Sequence, residues 1–84
     1  MPTIERIGPY RFFFYSNENA EPPHVHVESG DGIAKFWLTP VRLETSTSQT
    51  IGYNAKELRK LEEIVNVKQT EFLEAWQRYF ANAG

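Results

Sequence analysis

His24-Val25-His26-Val27-Glu28-Ser29-Gly30-Asp31-Gly32-Ile33-Ala34-Lys35-Phe36-Trp37-Leu38 is the stretch that decides the fold. Polar and apolar residues alternate on both sides of Ser29-Gly30-Asp31-Gly32, and two alternating runs about a glycine-rich turn read as a β-hairpin. The strands are His24–Glu28 and Ile33–Leu38. Upstream, Pro22-Pro23 stiffens the entry to the hairpin and Ser16-Asn17-Glu18-Asn19 reads as a turn. Tyr10–Tyr15 is bulky and aromatic, as strands prefer, and Gly8-Pro9 breaks whatever precedes it. Downstream, Thr39-Pro40 turns the chain into a shorter strand, Val41–Thr45. Residues 45–52, mostly Thr, Ser, Gln and Gly, read as the most flexible loop.

Beyond that loop the period changes. Asn54 followed by Glu57 is a capping-box signal for a helix start. Leu58, Leu61, Ile64 and Val65 then recur at helical spacing. Asn66 with Gln69 repeats the signal, which predicts a break near Asn66 and a second helix over about 67–81. Its apolar face is Phe72, Leu73, Trp76 and Phe80. One long helix bent near Asn66 is the alternative. The expectation is a single α+β domain over residues 1–84, with a sheet half (1–50) and a helical half (53–82). Its sheet is four-stranded and mainly antiparallel, with two C-terminal helices packed on one face.

Composition narrows the function classes. The chain has 84 residues, 40% apolar and 24% charged, with twelve aromatics and no cysteine. Disulfides, thiolate zinc sites and a cysteine nucleophile are therefore excluded. A net charge of −2 gives no bulk electrostatic reason to bind duplex DNA. The longest apolar run, Phe12–Tyr15, is far too short to span a bilayer, and no signal-like segment precedes the fold, so the expected location is cytoplasmic. A domain this small has a limited core, and a partner or a second copy would help it.

Strand side chains alternate between faces. Phe12, Phe14, Val25, Val27, Ala34, Phe36, Leu38, Val41 and Leu43 make one apolar set, expected under the helices. The opposite set is Arg11, Phe13, Tyr15, His24, His26, Glu28, Lys35, Trp37, Arg42 and Glu44, which would share one surface if the strands form a meander. Cross-strand packing alone would account for it. Contiguous aromatics on an open face also point to contact with another molecule.

Two histidines at i and i+2 point the same way, with Cα atoms about 6.5 Å apart. They could hold a divalent metal with Glu28 or Glu21 as a third ligand. They could act as acid and base across a phosphodiester. They could stack on a base or a partner, or simply fill the face. With Lys35 and Arg11 as charge stabilisers, and Phe13, Tyr15, Trp37 and Arg42 as contact residues, the inventory suits metal-independent RNA cleavage. No metal or other cofactor is expected, since a third histidine is absent. Ser46, Thr47 and Ser48 have no base assigned to them, so a hydrolase triad is not supported. The glycines match no phosphate loop. Lys56, Glu57, Arg59, Lys60, Glu62 and Glu63 read as a solvated helix face.

The sequence resembles the family of small bacterial proteins called domain of unknown function 4160. The resemblance rests on Gly8, the aromatic run Tyr10–Tyr15, Glu21-Pro22-Pro23-His24-Val25-His26-Val27, Ala34-Lys35-Phe36-Trp37-Leu38 with Pro40-Val41, and Glu74-Ala75-Trp76 with Phe80. Members of that family are often encoded beside another small protein, in an arrangement that looks like a toxin–antitoxin pair. The resemblance therefore implies a protein partner and favours RNA or translation as the target, but it assigns no catalytic residue. The leading expectation is the toxin-like half of a two-protein module, acting on RNA through the His/Lys/Arg/aromatic face. A non-catalytic module docking a small partner is the alternative, and a small metal-binding protein the third. Whether the chain also forms a homodimer is open at this stage.

Overall fold

The computed structural model describes residues 3–15, 20–46 and 49–81. Five strands come first, β1 (Thr3–Ile7), β2 (Tyr10–Phe13), β3 (His24–Ser29), β4 (Gly32–Leu38) and β5 (Val41–Leu43). Two helices follow, α1 (Ala55–Val67) and α2 (Gln69–Ala81). The strands form one antiparallel sheet in the order β1-β2-β3-β4-β5, a plain meander. The α+β class is as expected, and the strand count is corrected from four to five. The expected turn at 16–19, and Thr47 and Ser48, lie outside the described residues.

β1 escapes the alternation rule for a local reason. Its register against β2 shifts between Thr3 and Glu5, so the strand carries a bulge at Ile4. A bulge adds a residue without its own opposite number, which lets Ile4 and Ile7 both pack toward the core although they are three apart. Two-residue connections then join the hairpins. Ile7 pairs with Tyr10 around Gly8-Pro9, and Ser29 with Gly32 around Gly30-Asp31. Gly8 (φ 57°) and Gly30 (φ 53°) supply the positive φ that the first position of such tight turns requires. A cis bond links Thr39 to Pro40 between β4 and β5.

The apolar set lies where alternation puts it. Phe12, Phe14, Val25, Val27, Ala34, Phe36 and Leu38 are buried with Leu61 and Val65 of α1 and Phe72, Trp76 and Phe80 of α2. Val41 and Leu43 are half-buried at the edge. The Phe12 and Phe72 rings lie 5.3 Å apart, and Phe14 meets Trp76 edge-on at 5.3 Å.

The capping box at the start of α1 forms in full. Glu57 N–H donates to Asn54 Oδ1 at 2.8 Å, and Asn54 N–H donates to Glu57 Oε1 at 3.1 Å. The helix break falls at Lys68 rather than Asn66. Asn66 does not cap, because its side-chain amide donates back to the Glu62 carbonyl at 3.1 Å and stays within α1. Gln69 does not complete a second box either. Its Nε2 donates to the Leu38 carbonyl at 2.6 Å and ties the start of α2 to the end of β4.

The segment expected to be loose is tied down over its described part. Ile51 exchanges two backbone bonds with Ile33, at 2.9 and 3.0 Å. Thr50 Oγ1 donates to the Glu44 carbonyl at 2.6 Å, and the Tyr53 hydroxyl bonds Ser29 Oγ at 2.8 Å. Burial pushes the Tyr53 phenol above its ordinary pKa, with the Ser29 bond acting against that. Polar composition hid these anchors, which depend on β4 being next door.

Gly52 lets this segment lie flat on the hairpin. Its φ is 86°, and a Cβ there would sit 2.6 Å from the Asp31 carbonyl oxygen. Gly52→Ala should therefore lower stability by more than the roughly 1–2 kcal/mol of a left-handed alanine. Gly30→Ala, at φ 53° with open space around it, should lose only that conformational part. Chemical denaturation of the two variants checks the ordering; equal losses would show that the close approach to Asp31 does not matter.

Candidate functional site

The face of the sheet away from the helices carries the residues singled out above. The ladder sets them in rows. Phe13 lies opposite His26 and His26 opposite Lys35, while His24 lies opposite Trp37 and Trp37 opposite Arg42. A third row runs Arg6, Arg11, Glu28 and Ile33. Seven of the eight candidate residues thus share one face, and Tyr15, beyond the end of β2, packs its ring on His26 and Phe13 of that face.

That face is more closed than a half-solvated sheet. His24 has no accessible surface, while Phe13 is 2%, Lys35 5% and His26 6% exposed. Rings do most of the covering. His26 stacks on Phe13 at 5.5 Å and takes the edge of Tyr15 at 4.6 Å. His24 meets His26 at 5.1 Å, Trp37 at 5.4 Å and Trp76 of α2 at 5.0 Å. Because His24 is the first residue of β3, the Trp76 ring reaches it past the end of the sheet. The outer ring layer and the helical core therefore meet at His24.

Several polar groups in this layer are paired locally. His24 Nδ1 is 2.9 Å from the Pro22 carbonyl. A carbonyl can only accept, so Nδ1 carries the proton and Nε2 faces Glu21 Oε1 at 3.6 Å. The same Glu21 oxygen accepts from Lys35 Nζ at 3.0 Å. Lys35 Nζ also lies 4.3 Å from the Trp37 ring centroid, a cation–π contact that suits a buried ammonium. Pro22-Pro23 supplies the rigid spacer that aims Glu21 and the Pro22 carbonyl at one imidazole, and the Pro23 carbonyl accepts from Leu38 N–H at 3.0 Å. Trp37 Nε1 donates to Glu44 Oε1 at 2.9 Å. Arg11 donates to Thr3 and Glu28 and lies over the Phe13 ring at 4.5 Å.

Acid–base work requires a nitrogen within hydrogen-bond reach of the substrate. His24 offers no surface in this arrangement, and a polymer would reach His26 only after displacing the rings around it. Lys35 is nearly as covered. Arg11 sits one row away from the histidines, beside Glu28. Tyr15 and Arg42 are exposed and Trp37 is half-buried, so the reachable part of the set is at its margins. Among the described residues, no three His, Asp or Glu side chains gather in a way that could hold a metal ion. No helix among them is long and apolar enough to cross a membrane. Sequence reasoning had Glu21 only as a metal ligand and placed Trp76 on the apolar face of the second helix. The Glu-Pro-Pro-His spacing could have revealed the first, since two prolines fix the separation. Nothing in the sequence pairs Trp76 with His24.

If this face is a packed layer, Phe13→Ala should behave as a core truncation and cost about 3 kcal/mol. A loss within about 0.5 kcal/mol, as for an ordinary surface position, would mean that the layer is loose in solution. Urea denaturation of this variant decides between the two.

Comparison with known proteins adds one match. A family model described as a domain of unknown function (DUF4160) matches residues 10–77, which takes in β2 through most of α2 and leaves β1 outside. No curated protein and no solved structure matches. Over four-fifths of its length, including the whole ring layer, this chain belongs to the DUF4160 family.

Proposed function

We propose that the chain is a non-catalytic docking module, the partner-binding half of a bacterial two-protein system working in the cytoplasm. The observation that carries this reading is the contrast across the outer face, where the histidines are covered while the corner around Trp37 is open. There a groove of about 180 Å³ is lined by Pro22, Pro23, Trp37, Thr39, Pro40 and Arg42. Arg42 is exposed and has no carboxylate partner among the described residues. Trp and Arg dominate interface energetics, and proline walls lose little freedom on binding. The partner is a small protein, as the family resemblance leads one to expect.

A hetero-partner is favoured over a second copy paired through β1. A two-fold axis through the centre of that strand would set Glu5 against Glu5, and one through the next residue Arg6 against Arg6. Like charges directly opposite on a ladder are destabilising, and the bulge at Ile4 further blunts the edge.

Co-expression with the small protein encoded beside the gene tests the docking reading. Trp37→Ala combined with Arg42→Glu should weaken the complex by about 100-fold or more, while Arg78→Gln on α2 should leave it intact. A complex indifferent to the first pair would move the interface elsewhere.

A toxin-like action on RNA is the second reading, favoured by the placement of Arg6, Arg11, Lys35 and Arg42 on one face. It calls for metal-independent cleavage that disappears in His26→Gln while the fold is retained.

A further inference from the structure

At the corner of the outer face diagonal to Trp37, the ladder sets Arg6 directly opposite Arg11. Their Cβ atoms are then about 5 Å apart on one face, and like charges in that position repel. A single carboxylate serves the row. Glu28, opposite Arg11 on the other side, accepts from Arg11 Nη1 at 2.6 Å. Arg6 is exposed and has no partner among the described residues. Two guanidiniums thus share one negative charge.

Arg11 is also held in place. Its Nε donates to Thr3 Oγ1 at 2.7 Å, Nη1 is fixed by Glu28, and its plane lies over Phe13. A guanidinium has five N–H donors, and these bonds use two. The remaining three have no protein partner among the described residues, and Nη2, which makes no hydrogen bond, is not sealed from solvent and can meet a ligand. Beside them is a polar groove of about 540 Å³, lined by Thr3, Arg6, Pro9, Arg11, Glu28, Ser29 and Gly30.

We infer that this groove is a binding site for a phosphoryl group, gripped between the immobilised Arg11 and the free Arg6. A planar fork of donors matches the oxygens of such an anion. Arg11 contributes with no ordering cost, because Thr3, Glu28 and Phe13 already hold it. Glu28 repels any anion bound beside Arg11, so a phosphoryl group is held only where Arg6 reaches it as well. The site stands apart from the Trp37 corner and does not depend on the docking reading.

The test is a titration of the whole chain with inorganic phosphate, followed by NMR at the arginine Nε–H resonances, with ionic strength held constant by sodium chloride. The Arg11 Nε–H signal should shift saturably with phosphate and not with chloride. Arg6→Gln, a change at an exposed position, should weaken phosphate about ten-fold or more, and Arg78→Gln should not. No shift, a shift that chloride reproduces, or a phosphate affinity unchanged in Arg6→Gln would overturn the inference. A short single-stranded oligouridylate run in parallel separates the sources. Tighter binding than phosphate at the same resonances assigns the site to a nucleic-acid backbone. Binding of phosphate alone assigns it to a small phosphorylated molecule.

Discussion

A buried imidazole between two indoles holds this protein together across its sheet. His24 sits between Trp37 of the outer layer and Trp76 of α2, with His26 against its edge and its Nδ1–H fixed by the Pro22 carbonyl. Domains of this size bury a modest fraction of their surface. Here the shortage is met without a further layer of helices, because side chains on the outer face pack on one another. Phe13, His26 and Tyr15 shingle along β2 and β3, and the charged ends of Arg11 and Lys35 lie over Phe13 and Trp37. Aromatic pairs of this kind add to the plain burial of their area. Removing Phe13 or His26, the most covered of these rings, should therefore act on stability before it acts on any binding event.

The same packing decides what the face can do. Charge on it is mostly cancelled at short range, Arg11 by Glu28 and Lys35 by Glu21. Arg42 and Arg6 remain, at opposite corners, each next to a groove. A flat, evenly basic surface would suit a nucleic-acid backbone all along the sheet. Two separated cationic corners, one beside an indole and prolines and the other beside a second arginine, suit two distinct contacts. The histidines lie between them and brace the strands that carry both.

Much of this was legible in the sequence. Alternation along 24–38 gave the hairpin, its register parity and the division of residues between faces, because a period of two leaves no other choice once one face is apolar. The Asn54/Glu57 box marked the start of α1 to the residue. β1 was not legible, since the bulge at Ile4 destroys the period that reveals a strand. The helix break was displaced by two residues because Asn66 and Gln69 bond elsewhere, the first to its own helix and the second to β4. Burial of the outer set was not legible either. It arises from side chains on β2, β3, β4 and α2 closing over one another, and no local pattern encodes the arrival of Trp76 at His24.

The central claim is that the two histidines lie sealed within the packed outer layer of the folded protein. Acylation of the native protein with a histidine-specific reagent, read by mass spectrometry at each site, tests it most directly. His24 should stay unmodified and His26 should react far more slowly than a free imidazole, both becoming reactive when the chain is unfolded in urea. Rapid modification of His24 in the folded protein would contradict the account.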